Sequence, residues 1–151
     1  MKCNLDLERS EGVLTNRAIA YIKVKKYKEA LQDCEHALSI NPKFSKAHMR
    51  AYTCYVQTGE FRKADEALNK ATELGDETAA KNKQWVSEYI KYEDFANKAL
   101  AQSNFQEAKF YFKRILESAT DSVKHTCLLL ETLVSENPND MTDSVSYTTK
   151  V

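Results

Sequence analysis

Glycine and proline are scarce, at three and two residues in a chain of 151. So few chain-turning residues leave little room for a sheet of many short strands, and long helices are expected instead. There is no excess of charge of either sign, since Lys plus Arg and Asp plus Glu both number 22. A balanced chain builds no global field to gather nucleic acid or an anionic membrane, so neither is an expected partner and any electrostatic recognition must be local. No apolar run approaches the roughly 18 residues of a membrane span, and the opening Met-Lys-Cys-Asn-Leu-Asp lacks the apolar centre of a secretory signal. A cytoplasmic protein is expected. The four cysteines, Cys3, Cys34, Cys54 and Cys127, form no CxxC pair, which argues against a zinc site or a disulfide framework. Cys34 and Cys54 read as small buried hydrophobes. His36, His48 and His125 have no metal-ligand spacing and no nucleophile beside them in sequence, so they are expected to be exposed or half-packed. Neither a phosphate-cradling glycine loop nor a G-x-S-x-G elbow occurs; no enzyme activity and no cofactor are expected.

What the chain does contain is self-similarity. Tyr27-Lys-Glu-Ala30 returns as Phe61-Arg-Lys-Ala64 and Ala37 returns as Ala71, each 34 residues on. In the first copy, Leu14, Ala18 and Tyr21 share one helical face and Ala30, Cys34 and Ala37 another. Asn41-Pro42 stops the second helix, because proline cannot continue it. The second copy runs through His48, Ala51, Tyr52, Tyr55, a Thr58-Gly59 turn, Phe61, Ala64, Leu68, Ala71 and Leu74, with Gly75 as a helix stop.

Over residues 11–76 this pattern resembles the tetratricopeptide repeat, a helix-turn-helix unit of 34 residues. It departs where a bulky Tyr52 stands opposite the small Ala18 of the other copy. The resemblance implies an all-α tetratricopeptide solenoid with a long inserted helix. Residues 1–10 read as the remnant or cap of a preceding repeat, and 11–76 as two repeats. Residues 77–122 read as a long linking helix, about Asp76 to Ser103, with a third, divergent repeat carried by Tyr92, Phe95, Ala96, Ala99, Phe105, Ala108, Phe112 and Ile115. Residues 123–136 read as a terminal helix, with Val123, Cys127, Leu130 and Leu133 as its apolar stripe, and 137–151 as a flexible tail.

Asn16 and Arg50 are also 34 apart, so they hold equivalent positions on the first helices of the two repeats, and Lys46 lies one turn before Arg50. A cationic fork, a compact ammonium and a neutral amide donor together suit a carboxylate. The segments Thr15 to Tyr21 and Phe44 to Ala51 resemble repeats of chaperone-binding cochaperones. That resemblance implies that Asn16, Lys46 and Arg50 are three of the five residues of a carboxylate clamp for the acidic C-terminal tail of a heat-shock chaperone of the 70 or 90 kDa class. The other two, a lysine and an asparagine of the preceding repeat, would lie before Met1. The third repeat has Ile90 and Asp94 at the matching places and so no clamp of its own.

A bland alternative makes Lys46 and Arg50 part of a solvated helix face. Another makes the chain a general scaffold that takes a helix or peptide in a groove lined by Ile19, Ile22, Thr53 and Val56. The lysines at 23, 25, 26 and 28 around Tyr27 imitate a basic-aromatic nucleic-acid patch, but they fall at a repeat turn beside a core position. A solenoid with exposed ends can also pair with a second copy there, which makes a homodimer through open solenoid ends a further expectation.

Overall fold

A computed structural model describes residues 10–138, and among them there are seven α-helices and no strand. They are α1 (Glu11–Lys23), α2 (Tyr27–Ile40), α3 (Ser45–Thr58), α4 (Phe61–Glu73), α5 (Glu77–Ala101), α6 (Phe105–Ser118) and α7 (Val123–Glu136). The expected remnant at 1–10 and tail at 137–151 fall almost wholly outside the described residues.

Local chemistry sets each boundary. Ser10 caps α1, its Oγ accepting the Val13 N–H at 3.2 Å, which satisfies a donor the helix itself cannot. The lysine turn reverses the chain through Lys25 at φ 61 and a Lys26 N–H to Tyr21 carbonyl bond of 2.8 Å. Helix α2 stops at Asn41, ahead of Pro42. The long helix is trimmed by a cap at each end of its expected span. Asp76 Oδ1 accepts the N–H groups of Thr78 and Ala79 at 2.9 and 3.0 Å, and Ser103 adopts a left-handed φ of 58.

The chain forms two compact units. The first holds the described residues up to Val56 with Glu60–Ser87, and the second holds Gln57–Gly59 with the described residues from Glu88 onward. Within the first, Ala18, Ala30, Cys34, Ala51 and Cys54 form one core cluster and Leu14, Ala37 and Ala47 another. Alanines and cysteines predominate because three helices approach closely there. Phe61 and Leu68 are fully buried, and Phe61 meets the Trp85 ring edge-on at 6.5 Å. Each such buried side chain contributes roughly 1.5–3 kcal/mol. Cys34 and Cys54 are both buried, as expected of small hydrophobes.

In the second unit, Ala96, Ala99, Ala108, Phe112, Ile115 and Leu129 are buried. Phe95, read as a residue of the third repeat's first helix, is 47% exposed and lies on the Tyr111 ring at 5.5 Å. Helix α7 corrects the sequence reading more fully. Its expected stripe is not the buried face: Val123 is 74% exposed, Cys127 is exposed and Leu130 and Leu133 are half-buried, while the buried face is His125, Leu129 and Thr132. Both sets have helical spacing, so periodicity alone could not choose between them. What decides is polar pairing. His125 finds partners within the unit, and the Thr132 hydroxyl donates to the Leu128 carbonyl at 2.7 Å.

Candidate functional site

Helices α1 and α3 are brought side by side by shared cores, Leu14 with Ala47 and Ala18 with Ala51 and Cys54. Asn16 lies between Leu14 and Ala18 on α1. Lys46 lies in the first turn of α3, and Arg50 follows one turn later between Ala47 and Ala51. Asn16 and Lys46 are exposed, whereas Arg50 is half-buried. Arg50 Nε is buried and makes no hydrogen bond among the described residues. A shielded guanidinium N–H without an acceptor is costly unless an acceptor arrives. The Arg50 charge also reaches Cys34, where it opposes the rise of the thiol, which burial pushes up to about 12. The Cys54 thiol is pushed up to about 11 by burial. Neither thiol is a nucleophile near neutral pH.

Of the expected groove residues, Ile19, Ile22 and Thr53 are half-buried. Val56 is only 8% exposed and belongs to the core, so it offers a peptide almost no surface. The Thr53 hydroxyl donates to the Met49 carbonyl at 3.1 Å.

Next to Asn16 is a pair that sequence reasoning missed. Arg17 grips Asp33 with both arms of its fork, Nε to Oδ2 at 2.8 Å and Nη2 to Oδ1 at 2.7 Å. The Asp33 side chain is 7% exposed and that of Arg17 58%. The pair ties α1 to α2 and holds the helix that presents Asn16. Its residues are 16 apart on different helices, a spacing with no periodic signature.

On the other side of α3, Leu31, His48, Ala51, Tyr55, Ala67 and Lys70 line a cavity of about 350 Å³. Burial lowers the His48 pKa there. His48 is therefore buried, against the expectation of an exposed or half-packed ring.

His125 departs further from that expectation, since it is fully buried. Its Nδ1 lies 2.7 Å from Ser122 Oγ and its Nε2 lies 3.3 Å from Glu93 Oε1. Hydrogen bonding to His125, aided by Lys124 and against the effect of burial, holds the Glu93 carboxyl down to about 2. The order serine, histidine, carboxylate resembles a hydrolytic relay. Ser122 is only 1% exposed, however, and its Oγ caps α7 by accepting the His125 N–H at 3.4 Å. No substrate carbonyl could reach it, so the set is a buried polar joint between α5 and α7. Among the described residues there is no group of His, Cys, Asp and Glu that could hold a metal ion, and no helix is long and apolar enough to cross a membrane.

Residues 13–44 and 48–81 each match the Tetratricopeptide repeat family. Mouse Tetratricopeptide repeat protein 12 is 32% identical over 84% of this chain and 17% of its own length. The yeast (Saccharomyces cerevisiae) Hsp70/Hsp90 co-chaperone CNS1 is 32% identical over 45% of this chain and 18% of its own. This chain thus spans less than a fifth of either relative. The crystal structure of the P58(IPK) TPR domain superposes with a TM-score of 0.80 at 17% identity, over 95% of this chain and 42% of that one, a likeness of fold alone. With the 34-residue period, the paired helices and two family matches in succession, the chain belongs to the tetratricopeptide repeat proteins.

Proposed function

We propose that this protein is a cytoplasmic, non-enzymatic interaction module of the cochaperone type. It holds the acidic C-terminal tail of a heat-shock chaperone of the 70 or 90 kDa class through a partial carboxylate clamp of Asn16, Lys46 and Arg50. The observation that carries this reading is half-buried Arg50 one turn from exposed Lys46, on a helix that shares its core with the helix of exposed Asn16. Arg50 is half-buried, so a peptide carboxylate would pair with the part of the side chain that stays open beside Lys46, not with the shielded Nε. The resemblance to yeast Hsp70/Hsp90 co-chaperone CNS1 supports the same class of partner. The linking helix and the α5–α6 pair are read as an extension of the array with a third, divergent repeat that has no clamp.

Charge-assisted hydrogen bonds contribute about 1.5–3 kcal/mol each, whereas micromolar affinity needs about 8 kcal/mol. Three residues therefore give weak binding that depends on every contact. The test is fluorescence anisotropy of a labelled Glu-Glu-Val-Asp peptide and of its C-terminally amidated form. Binding should fall at least tenfold on amidation and again for Lys46→Ala with Arg50→Ala. If wild type ignores the peptide, or binds it regardless of Lys46 and Arg50, the clamp reading fails. The scaffold reading then takes its place, favoured by the half-buried Ile19 and Ile22 on the same helix as Asn16.

A further inference from the structure

The outward face of α7 is unaccounted for by a peptide groove in the first unit. Val123, Cys127, Leu130 and Val134 follow one another at spacings of four, three and four. That spacing is the seam of a two-stranded coiled coil, in which each apolar side chain enters a hole on a facing helix. Val123 is 74% exposed and Val134 is 41% exposed, Cys127 is exposed and Leu130 is half-buried. Beside the seam, Val123, Thr126, Cys127 and Leu130 line part of a hollow of about 390 Å³. The face is shaped for a helix.

The charges beside the seam say which helix. With Cys127 and Val134 in the first core position of a heptad, and Val123 and Leu130 in the second, Lys124 and Glu131 both occupy the flanking position that follows the second. In an antiparallel pair these flanking positions face each other across the seam. Lys124 and Glu131 are seven apart and of opposite sign, so a second copy of α7, run antiparallel, places Lys124 of each copy against Glu131 of the other. The same alignment sets Val123 opposite Val134 and Cys127 opposite Leu130. In a parallel pair Glu131 would instead meet uncharged Thr126, and Lys124 would have no partner within the helix. Lys124 already contacts Glu93, yet its side chain is 58% exposed and an ammonium has three protons to donate. The face is thus complementary to itself, as a two-fold interface requires.

We propose that α7 is a self-association surface, and that two copies of this protein pair antiparallel through Val123, Cys127, Leu130 and Val134 with reciprocal Lys124–Glu131 pairs. The expected homodimer through open solenoid ends concerned the opening of the chain, outside the described residues; the surface inferred here is on α7, in the second unit. One helix per copy buries little area, so the dimer is weak and reversible, in the micromolar to millimolar range.

Sedimentation equilibrium of the full chain from about 10 μM to about 1 mM should show the average mass rising from 17.3 kDa toward twice that value. Val123→Glu with Val134→Glu should hold it at the monomer mass, with the circular dichroism unchanged because both side chains are exposed. Glu131→Lys sets lysine against lysine at two symmetric places and should weaken the dimer about tenfold, an effect that salt diminishes. In a Cys3→Ser background, a short bismaleimide should join Cys127 to Cys127, within one layer of each other across the two-fold axis. A monomer at every concentration overturns the proposal. So does a dimer indifferent to Val123 and Val134, or one indifferent to Glu131 and salt. A dimer that appears only after residues 139–151 are removed also overturns it, since the chain's own end would then occupy the seam.

Discussion

Gly59 closes the turn between α3 and α4 at φ 77, and a Cβ there would stand 2.4 Å from Ser122 Oγ, 2.6 Å from His125 Nδ1 and 2.8 Å from His125 Cε1. None of these atoms is the loose end of a flexible chain. Ser122 caps α7 and His125 is fully buried, so neither can retreat without opening the joint. Gly59→Ala therefore meets two penalties. A left-handed backbone with a Cβ costs about 1–2 kcal/mol, and forcing an atom into a filled site costs about 1–3 kcal/mol. The expected loss is about 2–5 kcal/mol, a large part of a typical domain stability of about 5–15 kcal/mol. Gly75 supplies the control, because its φ is 87 and a Cβ there would meet nothing within 4 Å. Gly75→Ala should lose only the backbone share, about 1–2 kcal/mol. The stiffening of the unfolded chain by alanine is common to both variants and cancels in the comparison. Urea unfolding followed by far-ultraviolet circular dichroism measures both, with the slope checked for constancy. Equal losses at the two glycines would refute the reasoning, since the contact with Ser122 and His125 would then carry no energy.

Acid should expose the Glu93 joint. Its carboxyl titrates at about 2 instead of the ordinary 4.5, so the stability it contributes is complete above pH 4.5 and is lost as pH falls from there toward 2. Glu93→Gln should flatten the stability profile across that window, by up to about 3 kcal/mol relative to wild type, and parallel pH titrations of unfolding midpoints would show it. Arg17→Ala should cost about 1–3 kcal/mol, because the buried Asp33 loses a charged partner. Arg17→Lys should recover only part of that loss, since an ammonium cannot reproduce the two-armed grip; thermal unfolding of the three proteins compares them.

The fold was legible in the sequence because repeat helices are specified by small residues at fixed spacing. Ala18, Ala30, Cys34, Ala37, Ala64 and Ala71 could each be assigned to a core from period alone, and each is buried. Helix ends were legible too, since Asn41-Pro42 and Gly75 act through local backbone chemistry that needs no tertiary information. The candidate site was legible in part. The 34-residue spacing of Asn16 and Arg50 could be read, but not the burial of Arg50 Nε, which depends on what packs around it. Val56 was misplaced for the same reason, because apolarity does not say which of two packed surfaces a side chain joins. Pairs such as Arg17 with Asp33 or His125 with Glu93 leave no trace in the sequence. Their partners are brought together by the fold.

Helix α7 shows what such pairs decide. On apolar content alone, the face of Val123, Cys127, Leu130 and Val134 should turn inward and the face of His125, Leu129 and Thr132 outward. The opposite arrangement holds because turning His125 outward would strand Glu93, whose side chain is 8% exposed, with Lys124 as its remaining partner among the groups that hold it. A buried carboxylate without enough donors costs more than the transfer of a few aliphatic side chains can return. The Ser122 cap reinforces the choice, because the same hydroxyl serves the helix end and the imidazole. Polar specificity thus sets the rotation of α7, and the apolar seam it leaves outside is the consequence. On this account the exposed stripe is no packing failure: the buried joint fixes which face the helix offers to a partner.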